Sequence, residues 1–76
     1  MIDRIIDTIA LYSKKDKDII GEETNIFDLE IDSLSFIKII MDIETAYSVR
    51  FEDEEIVEIR TAKDIENALF KKYENK

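Results

Sequence analysis

Ile2, Ile5, Ile6 and Ile9 recur at i, i+3, i+4 and i+7. That spacing aligns one face of an α-helix and no face of a strand. It predicts an amphipathic helix reaching Tyr12 or Ser13. The same period returns from residue 33 to about residue 48, and again after Thr61. The chain has no Pro, a single Gly, no internal repeat and no low-complexity stretch, so nothing divides it. The expectation is one all-α domain over residues 1–76.

At 76 residues such a domain lies near the lower limit for folding alone. With no Cys, neither a disulfide nor a thiolate metal site can supplement the core, which must come from the 45% of residues that are apolar. No His is present either, which removes the commonest general base and metal ligand at neutral pH. A net charge of −8 argues against nucleic acid and anionic membranes as partners, because their phosphates would be repelled. The charge can keep a small monomer soluble, steer it toward basic partners, or do both. No apolar run approaches the roughly 20 residues that span a bilayer. Asp3 and Asp7 interrupt the apolar start, unlike a secretory signal. The expected location is the cytoplasm. Met1 and the charged "KKYENK" end are what a complete, free-standing chain would show.

Residues 15 to 31 hold no period for long yet carry Ile19, Ile20, Ile26, Phe27, Leu29 and Ile31. This predicts a long loop packed by its own side chains, with Gly21 placed for a turn of positive φ. Asp32 is a favourable N-cap for the helix that begins at Ser33. Ile56, Val57 and Ile59 behind the acidic run Glu52, Asp53, Glu54 and Glu55 predict a short helix. Thr61 and Asp64 are spaced as a capping box for the last helix. Its inner face is Ile65, Ala68, Leu69 and Tyr73, and Lys71, Lys72 and Lys76 suit its C-terminus. Three main helices, one short helix and a long first loop result.

The helix from Ser33 has two apolar stripes. Phe36, Ile39, Ile40, Ile43 and Tyr47 form a broad one, while Leu34, Ile37 and Met41 form a second, centred roughly 140° around the axis. Both stripes can be core in a small bundle, or the second can stay exposed for a partner.

Ser33 stands where a helix presents unpaired N–H groups and the positive end of its dipole, a natural place for a phosphate. Serine hydrolysis lacks the His that would activate the hydroxyl, and nothing in the sequence supports a Ser-Lys pair. Asp16, Asp18 and Gly21 mimic positions 1, 3 and 6 of a calcium loop, but Ile20 and Phe27 occupy ligand positions 5 and 12. Structural charge placement is the better reading of those acids, and no metal site is expected. A phosphodiester attached to Ser33 fits better than either chemistry.

At these residues the chain resembles a known family. "FDLEIDSLSFIKIIMDIETAY" is similar to the acyl carrier proteins, including peptidyl and other thiolation carriers, with their Asp-Ser-Leu motif standing as Asp32-Ser33-Leu34 after Asp28-Leu29. "IETAYSVRFEDEEI" and "IRTAKDIENAL" resemble the family's later segments, so the likeness covers nearly the whole chain. The resemblance implies a four-helix bundle that is not itself an enzyme. Its Ser33 would carry 4′-phosphopantetheine, added from coenzyme A by a phosphopantetheinyl transferase. The arm's thiol would hold an acyl or aminoacyl group as a thioester, so the missing Cys is supplied by the cofactor. Asp32 would help the transferase and its magnesium engage the phosphate. Leu34, Ile37 and Met41 match positions that contact partner enzymes, among them an acyl- or aminoacyl-loading ligase and downstream synthases or acyltransferases.

Two departures from the family pattern stand out. Glu30 stands where Gly is usual, which bears on the shape of the turn before the serine. Ser35 and Lys38 replace acids that fatty-acid carriers present along this helix, leaving mainly Asp42 and Glu44. The expectation is a free-standing carrier for a specialised polyketide or nonribosomal peptide pathway. The alternatives are a general fatty-acid carrier and a carrier-like interaction subunit without the prosthetic group.

Overall fold

The computed structural model describes residues 1–74, and its elements follow the apolar period. Helix α1 spans Ile2–Ser13, α2 Ser33–Tyr47, α3 Asp53–Ile56 and α4 Ala62–Glu74. The fold is the expected helical bundle of three main helices and a short one. Helix α1 packs against both α2 and α4. Ile5 and Ile9 of α1, Ile39, Ile40 and Ile43 of α2, and Ile65 and Leu69 of α4 are almost wholly shielded from solvent, together with Ile26 and Ile59. Branched and γ-branched side chains thus fill the space between the three long helices, and their burial is the main favourable term in so small a fold.

The long loop between α1 and α2 is packed, as its apolar content requires. It contains two short 3₁₀ turns, Lys17–Ile19 and Ile26–Leu29. The Asp16 side chain accepts from the Asp18 N–H and the Asn25 side chain from the Phe27 N–H, so each turn begins on an Asx cap. Asp16 therefore has a local structural task. Ile20, Ile26, Leu29 and Ile31 enter the core, whereas Ile19 and Phe27 stay exposed. Two main-chain bonds fasten the loop to the approach of α4: Ile26 N–H donates to the Arg60 carbonyl (2.8 Å) and Lys63 N–H to the Glu22 carbonyl (2.9 Å). The segment leading to Ser33 is therefore held by the far end of the chain.

Gly21 does not adopt the positive φ expected of it. Its N–H instead donates to the Thr24 hydroxyl, which closes a turn open to any residue. Left-handed backbone occurs at Lys14, Glu30 and Ser48, and those at Lys14 and Ser48 end α1 and α2. On α4 the buried face is Ala62, Ile65, Glu66 and Leu69 with Ala68 packed at its edge, while Tyr73 lies outside it. Lys76 lies outside the described residues.

Both later helices begin on the caps read from sequence. Thr61 and Asp64 exchange side-chain bonds with each other's N–H groups. Glu52 and Glu55 form a second capping box at α3, one the sequence pattern had not suggested because both partners are glutamates. Glu55 Oε1 also pairs with Lys72 Nζ of α4 at 2.7 Å, and Lys72 lies 5.5 Å from the centroid of the Phe51 ring. This clamp joins the four-residue α3 to α4. Burial raises the Glu55 pKa, but the Glu52 N–H and the Lys72 ammonium outweigh it and hold the carboxyl below its ordinary value. A depressed folded pKa means stability that is present above the ordinary value and lost as pH falls through the folded one. Glu55→Gln should therefore lower stability at pH 7 by about 1 kcal/mol. The gap should close as pH falls below the carboxylate range. Urea melts at both pH values check this, and a gap unchanged on acidification would show that charge is not its source.

Candidate functional site at the start of α2

Leu29 and Ile31 are both buried, and the residues that follow each of them, Glu30 and Asp32, face solvent. Between Leu29 and Ile31 the chain turns as it leaves the 3₁₀ segment Ile26–Leu29, of which Glu30 is the C-cap. Glu30 makes that turn at φ 61 and ψ 32. A glycine would reach this left-handed conformation without the steric cost a Cβ imposes. The turn thus takes the shape a glycine would favour, with a side chain that also reaches Lys15 at 3.7 Å.

Asp32 then caps α2, its Oδ1 accepting the Ser35 N–H at 2.8 Å. That N–H, followed by the Ser35 hydroxyl and the Lys38 charge, holds the Asp32 carboxyl below its ordinary value. It is ionised at neutral pH. The Asp32 carbonyl accepts the Phe36 N–H, so the N–H groups of Ser33 and Leu34 are those left open in the first turn. The Ser33 side chain is exposed, and among the described residues its hydroxyl makes no hydrogen bond.

Ser33 lies on the rim of a shallow depression lined also by Phe27, Phe36, Ile37, Ile56, Val57 and Arg60. Phe27 and Phe36 rest against each other with ring centroids 4.9 Å apart. The depression is therefore a largely apolar trough between α2 and α3, with one guanidinium on its margin. Ile37, one turn beyond Ser33, belongs to it. Leu34 (65% exposed) and Met41 (57%) lie outside it, on the open surface of α2. The second apolar stripe is thus exposed, while Phe36, Ile39, Ile40 and Ile43 of the first are core and Tyr47 is half-buried.

Phe27, Ile56, Val57 and Arg60 were not foreseen as neighbours of Ser33. Phe27 had a signal, being apolar in a loop close to the motif. Ile56 and Val57 read only as signs of a short helix; Val57 proves 62% exposed.

A family model described as "Phosphopantetheine attachment site" matches residues 3–69. The chain belongs to this family of acyl carriers. An acyl carrier protein of Syntrophobacter fumaroxidans (strain DSM 10017 / MPOB) is 42% identical to it over 69 residues, which are 90% of this chain and 85% of that protein. As an acyl carrier, the protein is not an enzyme and holds 4′-phosphopantetheine covalently. The start of α2 suits that group in three ways: an uncommitted serine hydroxyl, two open N–H groups for a phosphate, and an adjoining apolar trough. Acyl carriers work with a phosphopantetheinyl transferase and with synthase enzymes. No helix among the described residues is long and apolar enough to cross a membrane.

Proposed function

We propose that Ser33 is the attachment point and that the loaded carrier serves a specialised polyketide or nonribosomal peptide pathway. The observation that carries the first part is the exposed, uncommitted Ser33 hydroxyl at the mouth of α2. In the transferase, Ser33 Oγ would form a bond to the phosphorus of coenzyme A that bears the pantetheine. The pyrophosphate P–O bond breaks, 3′,5′-adenosine bisphosphate leaves, and the serine proton passes to a base of the transferase. Asp32, ionised at neutral pH beside the serine, is placed to assist the transferase's magnesium. Bound, the prosthetic group supplies the thiol on which an acyl or aminoacyl group is held. Leu34, Ile37 and Met41 form the surface offered to the transferase, a loading ligase and downstream enzymes. Peptide mapping tests the attachment: a coenzyme A-dependent mass gain should fall in the tryptic peptide of residues 18–38. A gain elsewhere would contradict the assignment.

The second part rests on charge along α2. Ser35 and Lys38 occupy the turns next to Leu34, and the two acids that remain are already engaged. Asp42 Oδ2 accepts the Tyr12 hydroxyl and Glu44 Oε2 accepts the Phe51 N–H at 2.8 Å. A partner that docks through basic residues would meet the Lys38 cation, and like-charge juxtaposition disfavours such a complex. The carrier should therefore be a poor substrate for general fatty-acid synthase enzymes and should be loaded by a dedicated adenylating ligase. Lys38→Glu combined with Ser35→Asp should improve loading by a fatty-acid malonyl transferase, most visibly at low salt where charge steering is least screened. Wild type malonylated as fast as a genuine fatty-acid carrier would favour the general fatty-acid reading instead.

A further inference from the structure

Arg60 sits between α3 and α4 and lines the same trough as Ser33. Its main chain is fixed at both ends: the N–H donates to Asp64 Oδ2 (2.9 Å) and the carbonyl accepts from Ile26 (2.8 Å). Its guanidinium is fixed too. Nη1 donates to the Val57 carbonyl at 2.8 Å and to the Ile59 carbonyl at 2.9 Å, which uses both of that nitrogen's protons. Nε and Nη2 donate to no described residue, and no described carboxylate pairs with the group. The guanidinium is thus held in place by two carbonyl groups, with its other edge still open. The other cation near the serine, Lys38, does not line the trough and acts on Asp32 instead.

We propose that Arg60 is a binding residue for the phosphodiester of the arm attached at Ser33. The inference rests on Ser33 being the attachment point. The phosphodiester bears one negative charge at any working pH. It would lie between two kinds of donor: the open Ser33 and Leu34 N–H groups at the start of α2, and the planar Nε–Nη2 edge of the guanidinium. Arginine offers that edge to phosphate in a fixed fork, and here the fork loses little freedom on binding because Nη1 is already tethered. The contact would draw the first part of the arm over the Ile37 and Val57 side of the trough. It would also couple modification at α2 to the segment just after α3, whose Val57 and Ile59 carbonyl groups the same guanidinium holds.

Holding the Val57 and Ile59 carbonyl groups after α3 is a structural role that Arg60 has with or without the arm, so the test must subtract it. Wild type, Arg60→Gln and Arg60→Lys would each be prepared unmodified and fully modified with 4′-phosphopantetheine by a transferase. The melting temperature would be measured for every pair at low salt and in about 0.5 M NaCl, where the screening length falls to roughly 4 Å. Loss of the Val57 and Ile59 contacts lowers both members of a pair and cancels in their difference. The increment on modification should be largest in wild type, fall by at least about half in Arg60→Gln, and be partly kept in Arg60→Lys, which retains the charge without the fork. Salt should shrink the wild-type increment and leave that of Arg60→Gln nearly unchanged. The Arg60 Nε–H resonance should also move on modification of wild type. Equal increments in wild type and Arg60→Gln, with an unmoved Nε–H signal, would overturn this inference alone. Absence of any mass gain in wild type would overturn the Ser33 assignment and this inference with it.

Discussion

Ile43→Ala should lower the unfolding free energy by about 2–5 kcal/mol, and Ile40→Ala by a similar amount. Both side chains are essentially inaccessible to solvent, Ile43 at 0% and Ile40 at 1% exposure. Each faces the seam where α2 meets the rest of the core, so truncation leaves a cavity in a bundle that has no disulfide to limit the damage. Domains of this kind are stable by only about 5–15 kcal/mol, so a loss of that size is a large share of the whole. Met41, two positions before Ile43, is 57% exposed and should cost clearly less. Met41→Ala should instead slow thioester loading or transfer by a partner enzyme, because the side chain stands on the surface proposed to meet it. Urea melts and loading rates on the same three variants separate the two roles. Equal destabilisation at Met41 and Ile43, with loading untouched, would contradict the division of α2 into a core side and a partner side.

That division was legible in the sequence because it depends on one number, the 100° step between residues of a helix. Ile39 and Met41 are separated by two positions, and the step alone places them on different faces. The caps were legible for a similar reason: Asp32, Thr61 and Asp64 act on N–H groups a few residues away. The loop was harder. Its apolar content showed that it must pack, but which of Ile19, Ile20, Ile26 and Phe27 turn inward depends on the two Asx-capped turns and on bonds to Glu22 and Arg60 carbonyls. Glu30 shows the limit most clearly. Sequence marks a glutamate where the resemblance leads one to expect glycine, yet the backbone still makes the left-handed turn at the end of the 3₁₀ segment Ile26–Leu29. The trough beside Ser33 was not legible at all. It is made by bringing α3 against the start of α2, two segments separated by the whole length of α2, and no local pattern encodes where they meet.

Ser33→Ala should abolish modification while leaving the fold intact. The cap of α2 is the Asp32 carboxylate on the Ser35 N–H, and neither group is altered. Ser33 itself makes no side-chain hydrogen bond among the described residues, is exposed, and contributes nothing to the core, so an alanine there changes no buried contact. Alanine is also the better helix former at such a position. Loss of modification in a folded variant could then only reflect loss of the nucleophilic hydroxyl. Ser35 is the natural comparison, since it lies two residues on in the same helix and carries the same functional group. The decisive measurement is the intact mass of wild type, Ser33→Ala and Ser35→Ala after incubation with coenzyme A, magnesium and a promiscuous phosphopantetheinyl transferase, with helix content followed by circular dichroism. Wild type and Ser35→Ala should each gain one phosphopantetheine and Ser33→Ala none, all three remaining helical. A gain that persists in Ser33→Ala, or no gain in wild type with several transferases, would contradict the assignment of Ser33 as the carrier's attachment point.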